Sequence, residues 1–252
     1  MSIDPGWPVA AALVVLLAIT LLGHRYADYG LGRSAIIAAV RALVQLTVVA
    51  ALIKVVIGNL ALSFAFVALM FALATLTTSR RTGATRTWIW AAAAILAGVA
   101  PVLAVVLLSQ AVPLRGIAII PVAGIVIGNA MTANTLVSRR VYPTLREEHR
   151  LYEAALALGL HPAQAIREIT HRRAPEALLP GLDQVTTTGL VTLPGAFIGV
   201  MLGGGTPVQA ATTQALVLFG IMAAQTITVL TAERLIAARL MLPADLQASL
   251  ID

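Results

Sequence analysis

The stretch Arg139–Gly181 reads RRVYPTLREEHRLYEAALALGLHPAQAIREITHRRAPEALLPG, and it is the one long water-soluble interruption in a chain otherwise made of apolar blocks. It carries seven Arg, five Glu and three His. Two short amphipathic helix patterns lie at its centre. In the first, Leu151, Ala154, Ala155 and Leu158 fall on one face at i, i+3, i+4, i+7 spacing. Gly159 stands where a helix C-terminal cap takes a residue tolerant of positive φ, and Pro162 suits the first turn of a following helix. In that second helix Ala165, Ile166 and Ile169 share a side, and Glu168 is spaced to pair with Arg172 at i, i+4. Two short helices at a corner just outside a membrane make a docking surface.

Outward from that corner, composition sets the class. Hydrophobic residues make up 59% of the chain and charged residues 11%, against about 25% charged in a soluble domain. There is no cysteine, so disulfides and thiolate metal sites are excluded. The formal charge of +6 does not indicate nucleic acid, because of where the basic residues lie. The chain reads as all-α: a polytopic helical bundle in the lipid bilayer, forming a single transmembrane domain over residues 1–252.

Seven apolar blocks are expected to span, at about Trp7–Leu22, Ser34–Ile57, Leu60–Leu76, Trp88–Leu108, Gly116–Val137, Thr186–Leu202 and Val208–Leu230. Each is near the roughly 20 residues that a span needs, the first and third on the short side. The first block is a poor signal peptide, because Asp4 precedes it and the basic residues follow it. With the N-terminus outside, the inner segments are 23–33, 77–87, 138–182 and the tail. They hold Arg25, Arg33, Arg80, Arg81, Arg86, Arg139, Arg140, Arg146, Arg150, Arg167, Arg172, Arg173, Arg234 and Arg239, fourteen of the seventeen basic residues. That asymmetry predicts an outer N-terminus and a cytoplasmic corner in a cell inner membrane.

Chemistry-bearing patterns are few. No G-x-x-x-x-G-K-[ST] occurs, so no P-loop is present. Gly203-Gly204-Gly205 reads as a tight turn. The histidines His24, His149, His161 and His171 have no metal-ligand spacing and read as solvated, with His161 a candidate N-cap. No nucleophile–base or paired-carboxylate arrangement appears, and no span holds a clear Asp or Glu. Catalysis by this chain is not expected, nor is a bound metal or cofactor. The spans do contain neutral polar groups. Arg41 and Gln45 lie one turn apart on the second span, with Arg41 about 12 Å beyond Arg33. It either snorkels to the interface or faces a pathway. Lys54 is placed to snorkel. Asn129, Met131 and Asn134 on the fifth span, and Gln214 and Gln225 on one face of the last, either line a pathway or knit helices together. Gly124-x-x-x-Gly128 and Gly195-x-x-x-Gly199 permit close helix contact, within one subunit or between two.

Glu153-Ala154-Ala155, then three residues, Gly159, nine residues and Ile169 resemble the EAA loop of ABC-transporter permeases. The usual Leu-Pro after the Ile is replaced by His171-Arg172. Arg41-x-x-x-Gln45-Leu46, Ile127-Gly128-Asn129-Ala130-Met131 and Leu193-Pro194-Gly195-Ala196-Phe197-Ile198-Gly199, with Gln214 downstream, extend the likeness over nearly the whole chain. Together they resemble the Fet-type permease family, which includes bacterial iron exporters and plant aluminium-tolerance proteins. The resemblance implies a coupling loop at Glu153, Ala154, Ala155, Gly159, His161, Pro162, Ile169 and Arg172. It also implies two copies of the chain working with two separate ATPase subunits that bind ATP and Mg, and export of iron or an iron complex. An ATPase-independent transporter or channel, and a scaffold with no pathway, are the rival classes.

Overall fold

Apolar runs bounded by turn formers become helices of spanning length wherever no residue interrupts the backbone ladder. The computed structural model describes residues 6–250; Asp4 and the side chain of Lys54 fall outside what it describes. The chain divides into two units, one up to Gly58 and the other from Asn59 onward. In the first unit α1 (Trp7–Tyr26) and α2 (Gly32–Gly58) pack on each other as a hairpin. Their turn passes through Asp28 and Gly30, both at positive φ.

The second unit opens with α3 (Leu60–Thr82), capped by Asn59, whose Oδ1 accepts from the backbone N–H of Ala61 at 2.9 Å and of Leu62 at 3.2 Å. The 77–87 stretch, read as a polar turn, is helical through Thr82 before Gly83 ends it in the left-handed region. After a 3-10 turn come α4 (Trp88–Leu108) and α5 (Gly116–Glu147). Next are α6 (His149–Ala157), α7 (Pro162–Thr170), a 3-10 turn (Ala174–Ala177), α8 (Leu179–Thr187), α9 (Gly195–Leu202), α10 (Pro207–Ala237) and α11 (Ala244–Ser249). At 1.5 Å per residue, α5 and α10 are each nearly 50 Å long, well beyond a hydrocarbon layer of about 30 Å. Both therefore carry the bundle out of the membrane.

Among the described residues, six helices are long and apolar enough to span: α1, α2, α3, α4 with its preceding turn, α5 and α10. The sixth apolar block, Thr186–Leu202, is not one continuous helix. It takes in the end of α8, an extended stretch and then α9, and both helices pack on α10. The sequence explains the break. The hydroxyls of Thr186, Thr187 and Thr188 each bond a carbonyl four residues back, Gly189 takes φ +95°, and Pro194 starts α9. Backbone bonds from Gly189 N–H to Thr192 O and from Val191 N–H to Thr187 O replace the lost ladder locally.

Two cores stack along α5 and α10. The first is within the bundle and uses small side chains, with Ile95, Val99, Ala123, Val126, Ile127, Ala130 and Ala224 buried together. Small residues suit helix packing in lipid, where close backbone approach replaces the hydrophobic drive. Gly98 is the tightest case: a Cβ there would run into Thr228 Oγ1 and the carbonyl of Ala224. Gly124 likewise makes room for Met70 of α3, whereas Gly128, Gly195 and Gly199 face nothing within 4 Å. The second core lies at the other end and uses larger residues. Val141, Tyr142 and Leu145 of α5 join Ile166 and Ile169 of α7, Ile236 of α10, and Met241, Leu242, Leu246 and Leu250 beyond it.

Candidate functional site

The corner forms where the sequence places it. α6 ends in a Schellman turn: Gly159, at φ +89°, donates its N–H to Leu156 O, and Leu160 donates to Ala155 O. His161 is the N-cap of α7, its backbone N–H held by Gln164 Oε1 at 3.0 Å, with Pro162 at the first helical position. Ala165, Ile166 and Ile169 are buried as their spacing predicts.

α6 is turned the other way from the expected face. Tyr152 is its one buried residue, with Ala155 and Leu156 half-buried beside it. Leu151 and Leu158 point outward, Leu158 being 82% exposed, and Ala154 and Glu153 are exposed too. A large aromatic with a hydroxyl outweighs leucine for the inward position because its ring fills volume while Oη reaches Leu250 O at 3.3 Å. The apolar edge of α6 is thus a surface. Glu168 and Arg172 form no ion pair among the described residues. With Glu148, Leu151, Ile169 and Arg173 they line a groove of about 420 Å³ between α6 and α7.

Polar ties fix the corner to the bundle. His171 closes α7, and its Nδ1 lies 2.9 Å from Glu233 Oε1 on α10. Glu233 is 7% exposed. The His171 ring is mostly exposed, as expected of a solvated histidine, while its Nδ1 also takes this partner. The expectation of a solvated His149 is corrected, because its side chain is half-buried. Nε2 of His149 meets Ser249 O at 3.0 Å, and its Nδ1 lies 3.5 Å from Glu153. Glu176 takes Arg140 and Arg173 on its two oxygens, each at 3.2 Å, joining α5 to the turn after α7. Arg146 donates to Asp245 at 2.7 Å and holds that carboxyl below the usual carboxylate range.

Inside the bundle the amides bridge helices. Gln225 Nε2 donates to Asn129 Oδ1 at 3.4 Å, joining α10 to α5, and the side-chain amide of Gln225 fills the space beside Gly181 of α8. Thr78 of α3 donates to Asn134 Oδ1 at 3.4 Å and lies 2.6 Å from Thr135 Oγ1. Asn134 Nδ2 and Gln214 Oε1 are buried with no protein partner among the described residues. Met131 is half-buried against the inner core. Arg41 and Gln45 are exposed on α2, in the other unit. Among the described residues, no three His, Cys, Asp or Glu side chains gather.

Sequence reasoning missed Glu233, Tyr142, Tyr152, Thr78 and the segment after α10. A signal was present for the last of these: Leu240, Met241, Leu242, Leu246 and Leu250 make that stretch too apolar for a free tail.

The profile described as "Uncharacterised protein family (UPF0014)" matches residues 7–241. The "UPF0014 membrane protein STAR2" of Oryza sativa subsp. japonica is 32% identical over 224 residues, covering 88% of this chain and 78% of the relative. "Protein ALUMINUM SENSITIVE 3" of Arabidopsis thaliana is 31% identical over 230 residues, covering 89% and 82%. The "Probable iron export permease protein FetB" of Escherichia coli (strain K12) is 27% identical over 227 residues, covering 89% and 87%. No solved structure matches.

Proposed function

The chain belongs to the UPF0014 family of multi-pass integral membrane proteins, and from that premise we propose that it is the membrane-spanning subunit of an ABC-type transporter. A separate ATP-hydrolysing subunit docks on α6 and α7 at the cytoplasmic side, and two copies of the chain work with two such subunits. The observation that carries this reading is the continuity between the corner and the bundle. α6 shows an apolar edge, Leu151 and Leu158, to the surface. α7 is sunk into the second core through Ile166 and Ile169 and tied to α10 by His171 and Glu233. A force applied to that surface reaches α10, where Gln225 and Gln214 lie among the bundle helices.

The passenger is iron or another metal complex moved outward, as the printed name of the Escherichia coli relative suggests. A chelated metal suits the bundle's neutral amides better than a bare cation, which takes carboxylate, imidazole or thiolate ligands. The chain itself supplies the path and the docking surface, and its partner supplies nucleotide chemistry.

The test is flux in inverted vesicles carrying the chain with its co-purified ATPase. Iron uptake that needs MgATP and is lost in Leu158→Asp supports the reading. Full-rate flux from the chain alone, without nucleotide, overturns it.

A further inference from the structure

The segment after α10 is built into the same corner. α10 closes in a Schellman turn in which Arg239 donates its N–H to Ile236 O and Leu240 donates to Leu235 O. The left-handed position is taken by Arg239 at φ +61° rather than by glycine, a conformation that L-residues seldom adopt. What holds it is a tie across the loop: the Arg239 guanidinium donates to Leu250 O at 2.9 Å. Met241, Leu242 and Leu246 between those two residues, and Leu250 itself, are each essentially fully buried.

Four further polar ties come from the corner. Tyr142 Oη donates to Met241 O at 2.8 Å, and Arg146 pairs with Asp245 at 2.7 Å, both from α5. The other two come from α6. His149 Nε2 meets Ser249 O at 3.0 Å, and Tyr152 Oη donates to Leu250 O at 3.3 Å. α6 has nine residues, fewer than the 12–15 or so an isolated helix needs. Its orientation is therefore set by what it packs against: α7 on one side, and the stretch running to Leu250, which its single buried side chain, Tyr152, bonds through Oη.

We infer that Leu240–Leu250 is a strap that positions α6, and so sets the angle at which Leu151 and Leu158 meet the ATPase. This rests on the docking reading above and assigns a role to residues outside the helical corner itself. His149, Tyr152 and Leu246 are positioning residues: they act through α6 and do not touch passenger or nucleotide.

The cysteine-free sequence permits a direct test in the full chain. Spin labels on Arg150→Cys and Ala248→Cys report the distance between α6 and the strap. Retained MgATPase activity on the affinity-tagged chain reports docking. The parent chain should give one narrow distance distribution. Leu246→Asp should broaden it and lower retained activity at least ten-fold. Because Leu246→Asp can fail to fold, a charge swap serves as the second arm. Arg146→Asp and Asp245→Arg should each broaden the distribution and lower retention about three-fold, and the double variant should restore both. A purely structural defect would not be repaired by the swap. A broadened distribution with retention unchanged overturns the strap while leaving ATPase docking intact. A broad distribution in the parent chain also overturns it. An absence of retained MgATPase with a narrow parent distribution instead removes the docking reading on which the role depends.

Discussion

His171 and Glu233 meet at 2.9 Å although 62 residues separate them in sequence. The imidazole ends the second corner helix, while the carboxylate belongs to α10, a long helix that packs on it. Glu233 is nearly buried, and a buried carboxylate left without a partner is destabilising. Removing His171 should therefore loosen α7 from α10 by about 1 kcal/mol, kept low because the ring is mostly exposed. We expect His171→Ala to retain the ATPase but to reduce transport per ATP hydrolysed several-fold, read from parallel flux and phosphate-release measurements.

Gly98 admits no side chain. A Cβ there would meet Thr228 Oγ1 and the carbonyl of Ala224, and the second is backbone that cannot rotate away. Gly98→Ala should cost about 1–3 kcal/mol by overpacking the α4–α10 contact. Thermal unfolding in detergent should show it, and Thr228→Ala should not rescue it.

The Gly159 turn makes a graded prediction. Alanine at φ +89° should cost about 1 kcal/mol. Proline should do worse, because it also removes the N–H that bonds Leu156 O. Transport coupling should fall in the order parent, Gly159→Ala, Gly159→Pro, with the melting of the spanning helices nearly unchanged.

Gln214 separates stability from pathway. Its Oε1 is buried with no protein partner among the described residues, so a leucine of similar size removes an unsatisfied group. Gln214→Leu should leave the thermal midpoint equal or higher. Transport should drop if the amide serves the passenger; unchanged flux would assign it to packing alone.

Asp245 gives a pH dependence with a definite sign. Arg146 lowers its carboxyl in the folded chain. The stabilisation is therefore complete above the ordinary carboxylate value and fades only as pH falls through the lowered one. A label at Ala248→Cys should stay immobile from pH 8 to about 5 and gain mobility only in stronger acid, whereas Asp245→Asn should be mobile throughout.

The starts of the spanning helices, the caps at Gly159 and His161 and the buried face of α7 were all legible in the sequence, because each follows from local spacing. The rotation of α6 was not. It offers two apolar faces, Leu151–Leu158 and Tyr152–Leu156, and only the tertiary partner decides which turns inward. Glu233 escaped notice because hydropathy ends the last span at Leu230, while the helix itself runs on to Ala237. The break between α8 and α9 could be sensed from three threonines, a glycine and a proline. Their composition is otherwise that of a span, and length alone counts them as one.

The tight crossing at Gly98 and Thr228 also sets proportions for α10. Thr228 lies about 8 Å along the axis from Glu233 and about 32 Å from Pro207. If α10 rocks about that crossing as a stiff rod, it is a lever with unequal arms. A 1 Å nudge at the short arm then sweeps the far tip through about 4 Å, enough to open or shut a passage for a small solute.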